Sequence, residues 1–176
     1  MDFVLIYGPP GVGKLSVAKK LARITGYKLF DSHATLAPAS RIFDFGTREI
    51  ATLADIYTIA TVKMAIRHGI KGIIFTIAYS GIGDDGLVDT LIDIVERAGG
   101  KFMPVKLSCS RAELFRRVTG RGRKALGKIS DRHTLASVLK SKSLYGAIPH
   151  KRSLDIDNTS MPPADAARRI KEHFCL

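Results

Sequence analysis

A glycine-rich turn directly after a short apolar run constrains the fold of this chain more than any other stretch. Residues 3–7 are five consecutive apolar residues, which predict a strand buried in a parallel sheet. Residues 8–14 then match G-x-x-x-x-G-K, where glycines let successive backbone N–H groups turn toward one chain of phosphates. The next residues have helical spacing and predict a helix on the sheet. Its predicted inward residues are Val17, Ala18, Leu21 and Ile24.

This strand–loop–helix order is the context that a phosphate-binding loop requires. Lys14 supplies a point charge for the outer phosphates, and the N-terminus of the following helix attracts the same anions. The predicted phosphate-binding residues are Gly8, Pro9, Pro10, Gly11, Val12, Gly13, Lys14, Leu15 and Ser16. Leu15 stands where such loops carry the hydroxyl that holds Mg²⁺, and the hydroxyl comes one place later, at Ser16. A Mg²⁺ ion could instead be held by nucleotide oxygens, waters and one carboxylate, because it keeps much of its hydration shell.

The length and composition fit one α/β domain over residues 1–176, with 45% hydrophobic residues for its core. Cys109 and Cys175 have no redox or metal-site spacing, which predicts reduced thiols in a cytoplasmic protein. We expect no signal peptide and no membrane span, because every apolar run is too short.

The net charge of +12 is concentrated in one part of the chain. Residues 111–152 contain twelve Lys and Arg but only two acidic residues. Such a patch predicts an anionic partner, which could be a polyphosphate, an acidic substrate or nucleic acid. Within it, residues 119–131 lose all apolar periodicity and combine glycines with cations, which favours a mobile lid.

Predicted strands and helices alternate along the chain, which indicates a parallel sheet with helices on both faces. The further strands are predicted at 27–30, 72–78, 102–107 and 153–157, and the further helices at 47–68, 84–98, 110–118, 132–145 and from 163 onward. Residues 34–46 are expected to be an irregular connection. The inward residues predicted for the helix at 47–68 are Ile50, Leu53, Tyr57, Ala60, Met64 and Ala65. No acid ends the third strand, and Asp84 and Asp85 are expected to open the next helix.

The phosphate loop, the polar end of the second strand, the helical segment after it and the basic lid together resemble the small P-loop kinases. This grouping includes shikimate kinase, gluconate kinase, chloramphenicol phosphotransferase and the nucleoside monophosphate kinases. The resemblance covers essentially the whole chain, although only the phosphate loop is a specific motif. It implies a three-layer α/β/α P-loop NTPase fold with a five-stranded parallel sheet in the order 2-3-1-4-5. It also implies ATP as phosphoryl donor, Mg²⁺, a small acceptor bound by residues 32–68, and a closing lid.

The resemblance also implies roles for single residues. Asp31 matches an acid that binds Mg²⁺ through water or takes a proton from the acceptor hydroxyl. His33 stands where shikimate kinases carry a second acid, which counts against shikimate as the acceptor. Arg117 resembles the arginine that packs on adenine, near residues 158–162. Arg123, or less favourably Arg121, resembles the lid arginine that reaches the transferring phosphoryl group, and Ser16 remains a candidate metal ligand beside Asp31.

Simpler interpretations of these residues stay open. Asp31 could cap a turn, His33 could be a surface residue, and Arg48, a candidate to hold an anionic acceptor, could be a solvated helix position. Two functions are therefore compatible with the sequence. One is an ATP-dependent kinase acting on a small molecule or nucleotide. The other is a nucleotide-binding regulator or nucleic-acid-associated ATPase, which Leu15 and the missing strand-three acid favour.

Overall fold

The computed structural model of the protein describes residues 1–36, 38–44, 46–120, 129–141 and 144–176. The lid residues Arg121 and Arg123 lie outside these ranges. The strands are β1 Asp2–Tyr7, β2 Lys28–Asp31, β3 Gly72–Ile77, β4 Lys101–Ser108 and β5 Leu154–Asp157. The helices of the described ranges are α1 Lys14–Thr25, α2 Ser32–Leu36, α3 Arg48–Arg67, α4 Asp85–Arg97, α5 Arg111–Val118, α6 Arg132–Ser141 and α7 Pro163–Phe174.

The five strands form one parallel sheet in the order β2-β3-β1-β4-β5, which confirms the predicted order. Tyr7, the last residue of β1, pairs with Ile77 of β3 and Lys106 of β4. The carboxyl ends of these central strands therefore meet at one edge of the sheet. Open α/β sheets bind ligands at this edge, and the phosphate loop begins there.

Alternate residues of β1 enter two separate apolar cores, one on each face of the sheet. Val4 and Ile6 belong to the core that α1 and α7 cover, whereas Phe3 and Leu5 belong to the core under α3 and α4. All four side chains are completely buried. Truncating a buried leucine such as Leu5 to alanine costs about 2–5 kcal/mol, because transfer and cavity terms add. These central residues hold the start of the phosphate loop in place.

Our prediction of which residues of α3 face the core is wrong in part. The buried residues are Ile50, Ala54, Thr58 and Val62, while Leu53, Tyr57 and Met64 are 41%, 50% and 52% exposed. The helix carries apolar residues on two faces, so periodicity alone could not choose between them. The small side chain of Ala54 lets the helix approach its neighbours, and the Thr58 hydroxyl donates to the Ala54 carbonyl at 2.7 Å.

Smaller differences concern element ends. Ile24 is 38% exposed although we predicted it to be buried, because it lies in the last turn of α1, near the end of α7. Residues 34–46 contain the end of α2 and a 3-10 helix, Ala39–Arg41, rather than only irregular structure. The described residues of α6 run to Ser141, and residues 144 and 145 form a turn where we predicted the end of this helix. None of the helices in the described ranges is long and apolar enough to cross a membrane.

Candidate phosphate-binding site

The phosphate loop, which we define as Gly8–Ser16, turns sharply at the carboxyl end of β1. Gly8 has φ 138°, and a Cβ atom there would lie 2.3 Å from the Leu107 carbonyl oxygen, so only glycine fits. Gly13 is also in the left-handed region, at φ 104°. The Lys14 ammonium donates to the carbonyl oxygens of Gly8 at 2.7 Å and Pro9 at 3.0 Å. The lysine side chain therefore lies over the concave side of its own loop.

The N-terminus of α1 lies within the phosphate loop and has no side-chain cap. Gly13 is the N-cap residue, and no side chain accepts a hydrogen bond there. Unsatisfied N–H groups and the helix dipole favour an anion at such an end. Ser16 is exposed in this first turn, whereas Leu15 is only partly exposed. The Ser16 hydroxyl is thus accessible to a ligand bound at the loop.

Arg117 of α5 links the phosphate loop to the segment after β5. Its Nη1 donates to the Val12 carbonyl at 2.9 Å and to Asn158 Oδ1 at 3.0 Å. Its Nη2 donates to the carbonyl oxygens of Asn158 at 2.8 Å and Thr159 at 3.2 Å. The buried Asn158 side chain also donates to the Val12 carbonyl, at 2.8 Å. Two side chains from distant parts of the sequence therefore hold one carbonyl of the loop.

Glu113 fixes the orientation of Arg117 from the same helix. It accepts hydrogen bonds from the Arg117 Nε at 2.6 Å and from two nitrogens of Arg116 at 2.6 Å. The Arg116 and Arg117 guanidiniums lower the pKa of Glu113 to about 2, so it is ionised at neutral pH. The Ser110 hydroxyl accepts from the Glu113 N–H at 3.3 Å and so caps the N-terminus of α5.

An open pocket of about 490 Å³ lies beside the first turn of α1, in the size range of small-ligand sites. Gly13 and Ser16 line it on one side, and Arg117 and residues 158–163 line it on the other. The structure thus brings the predicted Arg117 and the predicted segment near Asn158 against the phosphate loop. A ligand in this pocket would lie next to the open helix end.

The predicted acceptor residues lie at the end of β2 and in the segment that follows. Asp31 Oδ1 accepts from the N–H groups of His33 at 3.0 Å and Ala34 at 3.3 Å, so it caps α2 as the simpler interpretation proposed. His33 is exposed on α2, and Arg48 is exposed at the first turn of α3. The described residues show no hydrogen bond between Arg48 and the phosphate loop.

Sequence reasoning missed the arrangement of acids at the end of β3. Asp84 Oδ2 accepts from both the N–H and the hydroxyl of Ser80 at 2.6 Å, and Asp85 accepts from the Tyr79 hydroxyl. Asp85 does begin α4 as predicted, but the Asp84 side chain makes no cap hydrogen bond. The turn at Gly81–Gly83 returns both carboxylates to the strand end. A serine four residues before an aspartate, with glycines between them, was the available signal.

Asp55 of α3 approaches this group of acids. Burial raises its pKa, and the neighbouring Asp84 carboxylate raises it further. The Tyr79 ring meets the Tyr7 ring edge-on at 5.5 Å, which places the group beside the start of the phosphate loop. Burial also raises the pKa of Tyr7, whose hydroxyl oxygen accepts from the Ile148 N–H at 3.0 Å. The carboxyl ends of β1 and β3 therefore carry several polar side chains.

The described part of the chain contains no cluster of three His, Cys, Asp or Glu side chains that could hold a metal ion. The oxygen donors near the phosphate loop are the Ser16 hydroxyl and the carboxylates at the ends of β2 and β3. Mg²⁺ commonly uses one or two carboxylates together with substrate phosphates and waters. This donor set fits a Mg²⁺ ion that arrives on a nucleotide and does not form a complete protein cage.

No family model and no curated protein matches the sequence. Solved structures do match it over nearly its whole length. A sugar kinase from Janibacter sp. aligns with TM-score 0.72 and 18% identity over 99% of this chain and 95% of its own. A shikimate kinase from Acinetobacter baumannii aligns with TM-score 0.60 and 16% identity over 99% and 93%. The APS kinase of Mycobacterium tuberculosis aligns with TM-score 0.62 and 14% identity over 99% and 98%.

The chain has the fold of the small P-loop kinases. The identities are low, so what the P-loop kinase structures share with this chain is the arrangement of sheet and helices. The shikimate kinase structure contains shikimate, and the APS kinase structure contains AMPPNP and APS. Within this P-loop kinase fold, the phosphate loop and its pocket lie at the sheet edge described above.

Proposed function

We propose that the protein is an ATP-dependent phosphotransferase that moves the γ-phosphoryl group of ATP to a hydroxyl or phosphate of a small acceptor. One observation carries the proposal. The phosphate loop, with Lys14 on its concave side and the open end of α1 behind it, adjoins a pocket large enough for a nucleoside. We also propose that residues 1–176 act as one kinase domain in the cytoplasm, where the unpaired thiols of Cys109 and Cys175 would stay reduced.

The nucleotide is proposed to bind along the pocket with its phosphates in the loop. Backbone N–H groups of Gly8–Ser16 and the Lys14 ammonium would contact the phosphates. The face of the Arg117 guanidinium would contact the adenine, since its in-plane N–H groups are already held by Val12 and Asn158. ATP would thus displace none of the hydrogen bonds that hold Arg117 in place.

Mg²⁺ is proposed to arrive on the nucleotide, with Ser16 and Asp31 as the protein groups that would hold it. Asp31 Oδ2 forms no hydrogen bond within the described residues, so it can face a hydrated ion or the acceptor hydroxyl. When bound, the ion would neutralise charge on the phosphoryl oxygens. The acceptor itself is proposed to lie against residues 32–68, with His33 and Arg48 as contacts.

The lid residues lie outside the described ranges, so the role proposed for them rests on their positive charge alone. Residues 119–131 contain Arg121 and Arg123, which we propose close over bound ATP and acceptor. Arg123 would contact the transferring phosphoryl group, where positive charge stabilises the transition state. A closed lid would also exclude water, which competes with the acceptor.

The alternative is a nucleotide-binding regulator or nucleic-acid-associated ATPase. Leu15 favours it, because a kinase loop normally carries a hydroxyl for Mg²⁺ at that position. A basic patch of this size would also suit a nucleic-acid partner. The polar groups at the ends of β2 and β3 favour the kinase, since an ATPase that transfers to water needs no acceptor site there.

The proposal is tested by ATP consumption with pooled acceptors: sugars and sugar acids, nucleosides and nucleotides, and aminoglycoside-type amino sugars. RNA and single-stranded DNA serve as controls, and Lys14→Ala is the matched inactive variant. We expect one acceptor pool to stimulate ADP release in the wild type and not in the variant. Stimulation by nucleic acid alone would establish the alternative and contradict the kinase proposal.

A further inference from the structure

Helix α3 presents a continuous apolar stripe to solvent. Its large side chains Leu53, Ile56, Tyr57 and Met64 are 41%, 57%, 50% and 52% exposed. The exposed Ala60 lies among them. At about 100° per residue these positions fall within an arc of roughly 100°, which borders the buried face of the helix at Tyr57. Over twenty residues the helix is about 30 Å long, so the stripe is long enough for a partner helix.

The described elements leave most of this stripe uncovered, since its large side chains are 41–57% exposed. Helix α3 packs against α2, the 3-10 helix Ala39–Arg41 and α4. At one margin of the stripe the Tyr57 ring also lies 6.3 Å from the Phe30 ring of β2. A row of large apolar side chains that stays in contact with water is uncommon on a monomer, and it marks an interaction surface more often than scattered single residues do. The stripe is therefore a candidate surface for binding a partner that has an apolar face of similar length.

A charged side chain lies at each end of the stripe, and the two charges have opposite signs. Glu49 and Arg67 are eighteen residues apart, about five full turns, so they lie on the same line of the helix surface as the apolar residues. Both side chains are exposed, and neither forms an ion pair within the described residues. One end of the stripe is thus negative and the other positive.

We propose that a second copy of this chain covers the stripe, with the two α3 helices antiparallel about a two-fold axis. In that arrangement two residues contact each other across the dimer when they lie equally far, in opposite directions along the helix, from the residue at the two-fold axis. Glu49 with Arg67, Leu53 with Met64, and Ile56 with Ala60 are all centred within about half a residue of position 58. One register therefore joins opposite charges at both ends and apolar side chains between them.

The size of the stripe indicates how strong this association is. A single helix pair buries less than the roughly 800 Å² per partner of a typical stable complex. The net charge of +12 also opposes association, although at 0.15 M salt charges are screened beyond about 8 Å. We therefore infer a reversible dimer whose population rises with protein concentration.

Sedimentation velocity over a range of protein concentrations at 0.15 M salt tests the proposal on the full chain. Met64→Glu places a charge in the stripe, and Ile24→Glu, at an exposed apolar site on α1, is its matched control. Glu49→Arg and Arg67→Glu each place like charges opposite one another at both ends, while the double variant restores opposite charges. Thermal unfolding shows which variants keep the fold.

We expect the wild type and Ile24→Glu to dimerise equally and Met64→Glu to remain monomeric. Each single charge reversal should weaken the dimer at least tenfold, and the double reversal should restore it. A wild type that stays monomeric at several hundred micromolar would overturn the proposal. So would a dimer that Met64→Glu leaves intact, or a double reversal that restores nothing, since either outcome excludes this pairing of the two helices.

Discussion

The Asn158 side chain donates a hydrogen bond of 2.8 Å to the carbonyl oxygen of Val12, across 146 positions of sequence. Val12 is inside the phosphate loop, whereas Asn158 follows β5 at the far side of the pocket. Arg117 donates to the same carbonyl at 2.9 Å. The loop proposed to hold the phosphates is therefore fixed by the same residues that line the pocket proposed for the base.

Replacing Asn158 by alanine should lower both stability and nucleotide affinity. The substitution removes the bonds to Val12 and Arg117 from a side chain that is 3% exposed, which costs about 1–3 kcal/mol. Chemical denaturation and calorimetric ATP titration measure the two effects. Asp155→Ala, at an exposed position on β5, is the control and should change neither. Full ATP affinity in a stably folded Asn158→Ala variant would contradict a role in positioning the loop.

Adjacent arginines on α5 offer a matched comparison. Both Arg116 and Arg117 pair with Glu113, but only Arg117 reaches Val12 and Asn158. We expect Arg117→Ala to weaken ATP binding by about tenfold or more, since bonds from a charged donor contribute about 1.5–3 kcal/mol. Arg116→Ala should weaken it less than threefold. Equal effects in both variants would mean that only the charge matters and not the link to the loop.

The position of the hydroxyl in the loop predicts an unusual Mg²⁺ dependence. Leu15→Thr supplies the missing ligand directly after Lys14, so ATP binding should reach its maximum at a lower Mg²⁺ concentration than in the wild type. Leu15→Val, which has the same shape without the hydroxyl, is the control. Identical Mg²⁺ titrations for all three proteins would show that Ser16 already compensates.

The carboxyl group of Asp55 should destabilise the fold at neutral pH. Its pKa is raised by burial and by Asp84, so the folded state resists its ionisation. A group with a raised folded pKa stabilises the protein below the ordinary aspartate range, near pH 4, and this stability is lost as the pH rises. Asp55→Asn should therefore raise the melting temperature more at pH 7 than at pH 4. An equal change at both pH values would exclude the titration of Asp55 as the cause.

Arg123 should affect turnover more than binding if the lid acts as proposed. The contact between a cationic side chain and the transferring phosphoryl group is stronger in the transition state than in the ground state. Loss of this contact can lower the rate on the order of a thousandfold. ATP affinity should change little in Arg123→Ala. Lys128→Ala is the control from the same segment. Equal, small losses of polyanion affinity in both variants would instead fit the nucleic-acid alternative.

The sequence was sufficient for the sheet because its strands are unambiguous. Residues 3–7 are a continuous apolar run that ends at Gly8, and residues 73–77, after Gly72, are apolar except for Thr76. The loop at Gly8 also fixes where the first helix begins. The strand order followed from the resemblance, since nothing local determines which strands become neighbours.

The sequence was less informative wherever several packings satisfy the same pattern. Apolar residues on two faces of α3 left its orientation open, and the structure buries Ala54 where we expected Leu53. The site depends on similar long-range contacts. Asp84 folds back to Ser80 because a short glycine turn allows it, and Asn158 reaches Val12 only because β5 and β4 are neighbours. Neither contact leaves a periodic signal along the chain.

The most direct test of the central proposal follows the fate of the γ-phosphoryl group of labelled ATP. The wild type is incubated with the acceptor pool that stimulates ADP release, and labelled acceptor and free phosphate are separated and counted. We predict that most of the label appears on the acceptor and that Lys14→Ala, folded by circular dichroism, transfers none. Label found only as free phosphate, or equal transfer by Lys14→Ala, would contradict a phosphotransferase that uses this loop.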